Sequence, residues 1–196
     1  MITRHGNIYD LSGIIALHKA NLYENLTEAA RKNGFVTTAF SEAQISELMS
    51  RQGIFVAEDN GVIAGYAMAA AWDFWSQWPI FPYMVSRLGA LTFKGGPVLP
   101  ETSFQYGPVC ISSERRGTGL FPLLFEEMRR EFSTRYPIGV TFINRINERS
   151  LAAHMRKLDL SLIDEFEFSG RNYYSLAFDT SISIMHVLND QCCRKP

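Results

Sequence analysis

Arg115, Arg116, Gly117 and Gly119 fall together in Ser113-Glu114-Arg115-Arg116-Gly117-Thr118-Gly119-Leu120. Guanidinium groups beside glycines suit the binding of a multiply charged anion such as a pyrophosphate. The glycines let successive backbone N–H groups turn toward one point, and a following helix adds about half a positive charge at its N-terminus. The segment has the setting this chemistry needs. Phe104-Gln105-Tyr106-Gly107-Pro108-Val109-Cys110-Ile111 before it reads as a strand. Leu120, Phe121, Leu124, Phe125, Met128 and Phe132 after it recur at helical spacing.

The elements that would position this junction can be read on either side of it. Ile2 to Arg4 forms a short strand, and Asp10 is the expected N-cap of a helix burying Leu11, Ile14, Ile15, His18 and Leu22. A second helical stretch begins near Thr27. Ser41 and Gln44 make a capping box for a helix through Arg51. Residues 54–58 and 62–68 flank Asp59-Asn60-Gly61, a hairpin signal, and Gly65 marks a bulge or a close backbone approach. After the junction come a helix over 120–135, a strand over 138–143, a helix from Ser150 to Lys157, and a hairpin turning at Ser169-Gly170. Residues 72–100 interrupt this order with Trp72, Phe74, Trp75, Trp78, Phe81 and Tyr83 mixed with prolines. The expectation is one mixed α/β (α+β) domain over 1–178 with an aromatic-rich insertion at 72–100, and a loosely attached tail over 179–196.

Composition narrows the partners. The 19 basic and 20 acidic residues give a net charge of −1, which argues against nucleic acid or an anionic membrane as partner. The N-terminal residues carry no signal-peptide pattern, and no apolar run is long enough to span a bilayer. The three cysteines, with Cys192 and Cys193 adjacent, make neither a disulfide framework nor a metal set. A cytoplasmic, reduced setting and no bound metal are the expectations.

Two familiar phosphate loops fail. No Gly-Lys-Ser/Thr triplet occurs, and the third glycine of a dinucleotide fingerprint falls on Pro122. The loop Arg116-Gly117-Thr118-Gly119-Leu120-Phe121 resembles the Arg-x-x-Gly-x-Gly/Ala pyrophosphate loop of the GNAT superfamily of acetyl-CoA-dependent N-acetyltransferases, with Phe121 in place of the last small residue. Asn147-Glu148-Arg149-Ser150 resembles the superfamily's Asn-x-x-Ser/Ala motif. His154 to Leu160 resembles its closing helix, with Asp159 and Leu160 where Gly and Phe are usual.

The resemblance implies a central mixed, largely antiparallel sheet flanked by helices, with acetyl-CoA as co-substrate. It implies that Arg116, Gly117, Thr118, Gly119 and Leu120 cradle the pyrophosphate, and that Arg115 or Arg116 meets the 3′-phosphate. Val109, Cys110 and Ile111 would lie along the pantetheine arm, with backbone groups of Val109 and Ile111 binding it, and Asn147, with Ser150 in the same motif, would hydrogen-bond that arm. His154 stands where many members have a tyrosine that protonates the leaving thiolate. The superfamily often places a glutamate on the 104–111 strand, but no acidic residue occurs there, and Asp73, Glu101 or a water chain are the open choices of base. Cys110 reads as a buried strand residue rather than a nucleophile. The implied activity is direct acetyl transfer to an amine on a small molecule or a protein. A non-catalytic acyl-CoA sensor and a dimeric interaction protein on the same fold are the alternatives, and Trp72, Trp75 and Trp78 could line a pocket or an interface.

Overall fold

The computed structural model describes residues 1–185; Cys192 and Cys193 lie outside the described residues. Among the described residues there are nine strands: β1 (Ile2–His5), β2 (Ile54–Asp59), β3 (Val62–Ala70), β4 (Thr92–Phe93), β5 (Gly96–Pro97), β6 (Ser103–Ile111), β7 (Ile138–Asn144), β8 (Ser161–Phe168) and β9 (Arg171–Asp179). Seven helices join them: α1 (Leu11–Ala20), α2 (Glu28–Arg31), α3 (Glu42–Ser50), α4 (Trp72–Trp75), α5 (Ile80–Leu88), α6 (Leu120–Phe132) and α7 (Glu148–Leu158). The main sheet has the order β1-β2-β3-β6-β7-β9-β8, and β4 and β5 make a separate two-stranded ribbon. β6 and β7 run parallel, while β1–β2, β2–β3, β7–β9 and β8–β9 are antiparallel. This is the mixed, largely antiparallel sheet flanked by helices.

The chain divides into two compact units, residues 1–69 with 107–128, and residues 70–106 with 129–196. In the first, the β2–β3 hairpin turns at Asn60 and Gly61, both at positive φ, as the Asn-Gly signal requires. The register shifts by one residue opposite Gly65. A Cβ on Gly65 would lie 2.7 Å from Ile111 Cδ1 and 3.0 Å from the Cys110 carbonyl oxygen. The bulge and the close approach therefore coincide, and glycine lets β3 lie against the end of β6. The next residue, Tyr66, points the other way and meets His18 of α1. Ile14, Ile45, Leu48 and Phe55 complete that core. The Ser41–Gln44 capping box forms in full.

The first helix starts differently from the expectation. Asp10 stands at the N-cap of α1, but the chain enters through a short 3-10 turn capped by Asn7, whose side chain accepts from Tyr9 N–H at 2.9 Å. Asp10 makes no cap bond at α1. Its carboxylate instead accepts from Asn7 N–H at 2.8 Å and from Arg4 at 2.6 Å. An arginine on a neighbouring strand competes for the carboxylate, and sequence spacing cannot show that.

In the second unit, β6 separates its neighbours by alternation. Phe104 and Tyr106 face Phe178, and Phe104 stacks on Phe132 of α6 at 4.4 Å. Ser103 faces the other way, accepting the Trp72 indole N–H at 3.0 Å. The aromatic insertion is helical here, with Trp75 fully buried and in ring contact with Phe81 and Trp78. Of the expected tail over 179–196, residues 186–196 lie outside the described residues; in the described part Thr180 is buried, its hydroxyl donates to Tyr136 O at 2.5 Å, and Arg129 donates to its carbonyl. Ile184 is buried as well.

Gly65→Val should destabilise the fold by about 1–3 kcal/mol, through overpacking against backbone that cannot yield. Urea unfolding of the variant should show a lowered midpoint at unchanged slope.

Candidate functional site

The anion loop sits between β6 and α6. Ser113–Arg115 form a 3-10 turn, and Gly117 and Gly119 take φ values of 83° and 86°. Neither glycine would meet a neighbour if it carried a Cβ, so backbone conformation rather than space demands glycine there. Gly117, Thr118 and Gly119 are exposed, and Leu120 begins α6 buried. Thr118 fastens the turn internally, its hydroxyl donating to Arg115 O at 2.7 Å. An exposed run of N–H groups leading into a 13-residue helix fits a pyrophosphate.

The two arginines serve the protein first. Arg116 Nε donates to Ile111 O at 3.0 Å, Nη1 to Asn33 O at 2.9 Å, and Nη2 to Asn21 Oδ1 at 2.8 Å. Asn21 in turn donates to Leu17 O in α1 at 2.8 Å. All three guanidinium nitrogens are engaged, which makes Arg116 the anchor of the loop. Arg115 pairs with Asp59 at the β2–β3 turn and stays 42% exposed in its side chain. A half-exposed ion pair of this kind contributes little stability and exchanges readily for another anion.

Val109 and Ile111, at the end of β6, are partly exposed, whereas Cys110 between them is buried. Burial pushes its thiol up to about 12, so it stays protonated and unreactive at neutral pH. This agrees with the strand-residue reading of Cys110.

The second unit holds the asparagine motif. Asn147 is buried, and its side-chain oxygen caps α7 by accepting from Ser150 N–H at 3.3 Å. The helix therefore starts earlier than the expected Ser150. One turn on, His154 Nδ1 lies 2.7 Å from Ser150 O. A carbonyl there fixes Nδ1 as the protonated nitrogen of a neutral ring, leaving Nε2 as an acceptor. Burial holds the imidazole down to about 4. A proton donor to a thiolate near neutral pH would need the imidazolium, which burial disfavours; this geometry has His154 fastening α7. Asp73 and Glu101, the open choices of base, are exposed at the start of α4 and in a 3-10 turn. Among the described residues, no group of His, Cys, Asp and Glu could hold a metal ion, and no helix is long and apolar enough to cross a membrane.

The fold is similar to that of solved acetyltransferase structures. A ribosomal-protein-alanine N-acetyltransferase from Brucella melitensis superposes with a TM-score of 0.60 at 18% identity, over 91% of this chain and 99% of that one. A Salmonella typhimurium protein assigned as an acetyltransferase and solved with its cofactor acetyl-CoA gives 0.60 at 15%, over 92% and 94%. The ribosomal-protein-S18-alanine N-acetyltransferase of Escherichia coli gives 0.57 at 12%, over 92% and 94%. No family model matches the sequence, and no curated protein sequence matches it.

Two predictions follow from the geometry. His18 is buried like His154, and burial holds it too down to about 4. Both rings are neutral in the folded protein, while in the unfolded chain they take up protons at about 6.5. Their stabilising effect is full above about pH 6.5 and is lost as the pH falls toward 4, by on the order of 3 kcal/mol for each ring. Denaturation midpoints measured between pH 7 and 4 should fall steeply, and less steeply in His154→Gln. Arg116→Ala should leave three carbonyl or amide oxygens without their donor and cost about 2–4 kcal/mol of stability. Arg116→Lys should restore only part of it, because one ammonium cannot reach three divergent acceptors.

Proposed function

We propose that the protein transfers an acetyl group from acetyl-CoA to a primary amine in one step within a ternary complex. The observation that carries this reading is the loop from Arg116 to Leu120: two left-handed glycines, exposed N–H groups and a helix start, locked by the Arg116 guanidinium. The acetyltransferase fold of the chain supports it, and one structural neighbour holds acetyl-CoA.

Each part of the cofactor has a matching group. Backbone N–H groups of Arg116 to Leu120 take the pyrophosphate. Arg115 takes the 3′-phosphate, leaving Asp59 for a charge-assisted bond to a dianion. The pantetheine amides add to β6 through the backbone of Val109 and Ile111, in the manner of an added strand, with Cys110 between them turned inward. Asn147 and Ser150, the pair that the resemblance assigns to the pantetheine arm, order the start of α7 through the Asn147 cap. His154 holds α7 rather than protonating the thiolate. An N–H on β6 facing the thioester carbonyl would stabilise the developing oxyanion. The neighbours include enzymes acting on ribosomal-protein alanine, so the amine of a protein is within the acceptor range, beside small-molecule amines.

Acetyl-CoA at about 100 times its Kd should raise the unfolding free energy by about 2.7 kcal/mol, read as a rise in Tm. Gly119→Val should abolish that rise, because valine cannot hold the left-handed conformation the loop needs. Free thiol should appear from acetyl-CoA only when an amine is added. A rise in Tm without thiol release over a broad amine panel would make the protein a sensor, and no rise with folded protein would overturn the reading. His154→Gln should keep turnover within about twofold, where loss of a true proton donor typically costs about 10²-fold or more.

A further inference from the structure

An asparagine followed by glycine is open to attack on its side chain by the next backbone nitrogen, since glycine adds no Cβ to block the approach. The sequence has two such steps, Asn33-Gly34 and Asn60-Gly61. They are held differently. The Gly34 nitrogen donates to Arg31 O at 3.0 Å, and the Asn33 carbonyl accepts from Arg116 at 2.9 Å, so that step is fastened on both sides. Asn60 and Gly61 are exposed at the tip of the β2–β3 hairpin, beyond its last ladder pair, Asp59 with Val62. Among the described residues, no hydrogen bond engages the Gly61 nitrogen or the Asn60 side chain. A Cβ on Gly61 would meet nothing within 4 Å, so no neighbour shields the step from water.

The charges next to this tip belong to the anion loop's surroundings. Asp59, the residue before Asn60, pairs with Arg115. Glu58, one step earlier, pairs with Arg4 at 2.7 Å. Each of these two cations is thus already matched by a carboxylate of the hairpin. Consecutive Cα atoms lie about 3.8 Å apart. A new carboxylate at residue 60 would therefore stand on the order of one Debye length from Arg115, about 8–10 Å at moderate salt. It would compete with Asp59 for that guanidinium and repel a phosphate approaching it.

We propose that Asn60 is a site of spontaneous deamidation, and that its conversion weakens the hold of Arg115 on the 3′-phosphate of acetyl-CoA. The effect on the cofactor rests on the acetyl-transfer reading; the conversion itself does not. The Gly61 nitrogen gives its proton to solvent and attacks the Asn60 side-chain carbonyl carbon, closing a succinimide ring. The side-chain carbon–nitrogen bond breaks, and that nitrogen takes a proton from solvent and leaves as ammonia. Water then opens the ring. Opening at the side-chain carbonyl gives aspartate, and opening at the main-chain carbonyl gives isoaspartate, whose backbone runs through the former side chain. The net change is an amide and a water becoming a carboxylate and an ammonium ion, with nothing oxidised or reduced. Either product adds a negative charge. Isoaspartate also adds a methylene to the turn that joins Asp59 to Val62, which loosens the presentation of Asp59.

The full chain, incubated warm in mildly alkaline buffer, is digested and mapped by mass spectrometry. The peptide holding Asn60 should gain the mass difference between a hydroxyl and an amino group, with isoaspartate among the products, while the peptide holding Asn33 stays unchanged. Asn60→Gly, which adopts the same positive φ, should gain nothing there and keep its acetyl-CoA affinity over the same incubation. The wild type should lose affinity in step with conversion. Asn60→Asp, made directly, should raise the calorimetric Kd for acetyl-CoA by about threefold at low salt, and by less at high salt. Circular dichroism checks that each protein is folded. No conversion at Asn60 overturns the proposal, and so does conversion that leaves Kd unchanged in both the aged protein and Asn60→Asp. If fresh wild-type protein binds no acetyl-CoA, the acetyl-transfer reading falls with the effect on the cofactor, and the peptide map still decides whether Asn60 is the modified residue.

Discussion

The guanidinium of Arg116 uses its charge on three neutral oxygens, and the anion loop depends on it. One lies at the end of β6, one in the chain between α2 and α3, and one on the side chain that closes α1. A loop with two glycines at positive φ has more conformational freedom to lose than any other stretch of its length. Cross-linking both its strand and the N-terminal helices through one planar group removes that freedom in advance. The planar fork matters because its donors diverge at fixed angles, so the three acceptors together define one position of the loop. The positive charge still contributes to the local field, yet no anion need displace it.

The same economy of charge recurs in the cores. His18 and His154 are both buried and neutral, and each is held by a local oxygen: the Tyr66 hydroxyl at 2.7 Å for one and the Ser150 carbonyl for the other. Neither is placed to exchange protons easily with water. Cys110 is silenced in the same way. In all three, burial favours the neutral form of the group.

Much of this was legible in the residue order where the physics is local. The Ser41–Gln44 box, the Asn60-Gly61 turn, the glycines of the loop and the closing hairpin at Ser169-Gly170 each depend on residues a few positions apart, and each is found. The misplacements share another origin. The Asp10 carboxylate is taken by Arg4 rather than by a cap bond, the Arg116 guanidinium is tied to Asn21 and Asn33, and Thr180 is fastened by Tyr136 and Arg129. For Arg116 and Thr180 the partners lie far off in sequence, and for Asp10 a turn brings Arg4, six residues away on β1, onto the carboxylate. The aromatic insertion hid its helices for a different reason, since Pro79 and Pro82 sit at the start of α5, where a helix tolerates them. Gln105 carries no motif at all; only its burial on β6 distinguishes it.

That burial also accounts for what β6 lacks. Ser103, Gln105, Phe104 and Tyr106 alternate polar and aromatic, a pattern that in an antiparallel hairpin would put the polar residues in water. Here α4 and α5 bring aromatic rings over the polar face instead. A carboxylate under those rings would need a cation or several N–H donors to offset its desolvation, and Arg87 is already committed to Asp164. An amide carries no net charge and satisfies half its own needs through the Tyr106 carbonyl. Glutamine is therefore the strongest polar group that this face holds without a counter-ion. The absence of an acidic residue along β6 follows from the same packing that buries Trp72 and Trp75.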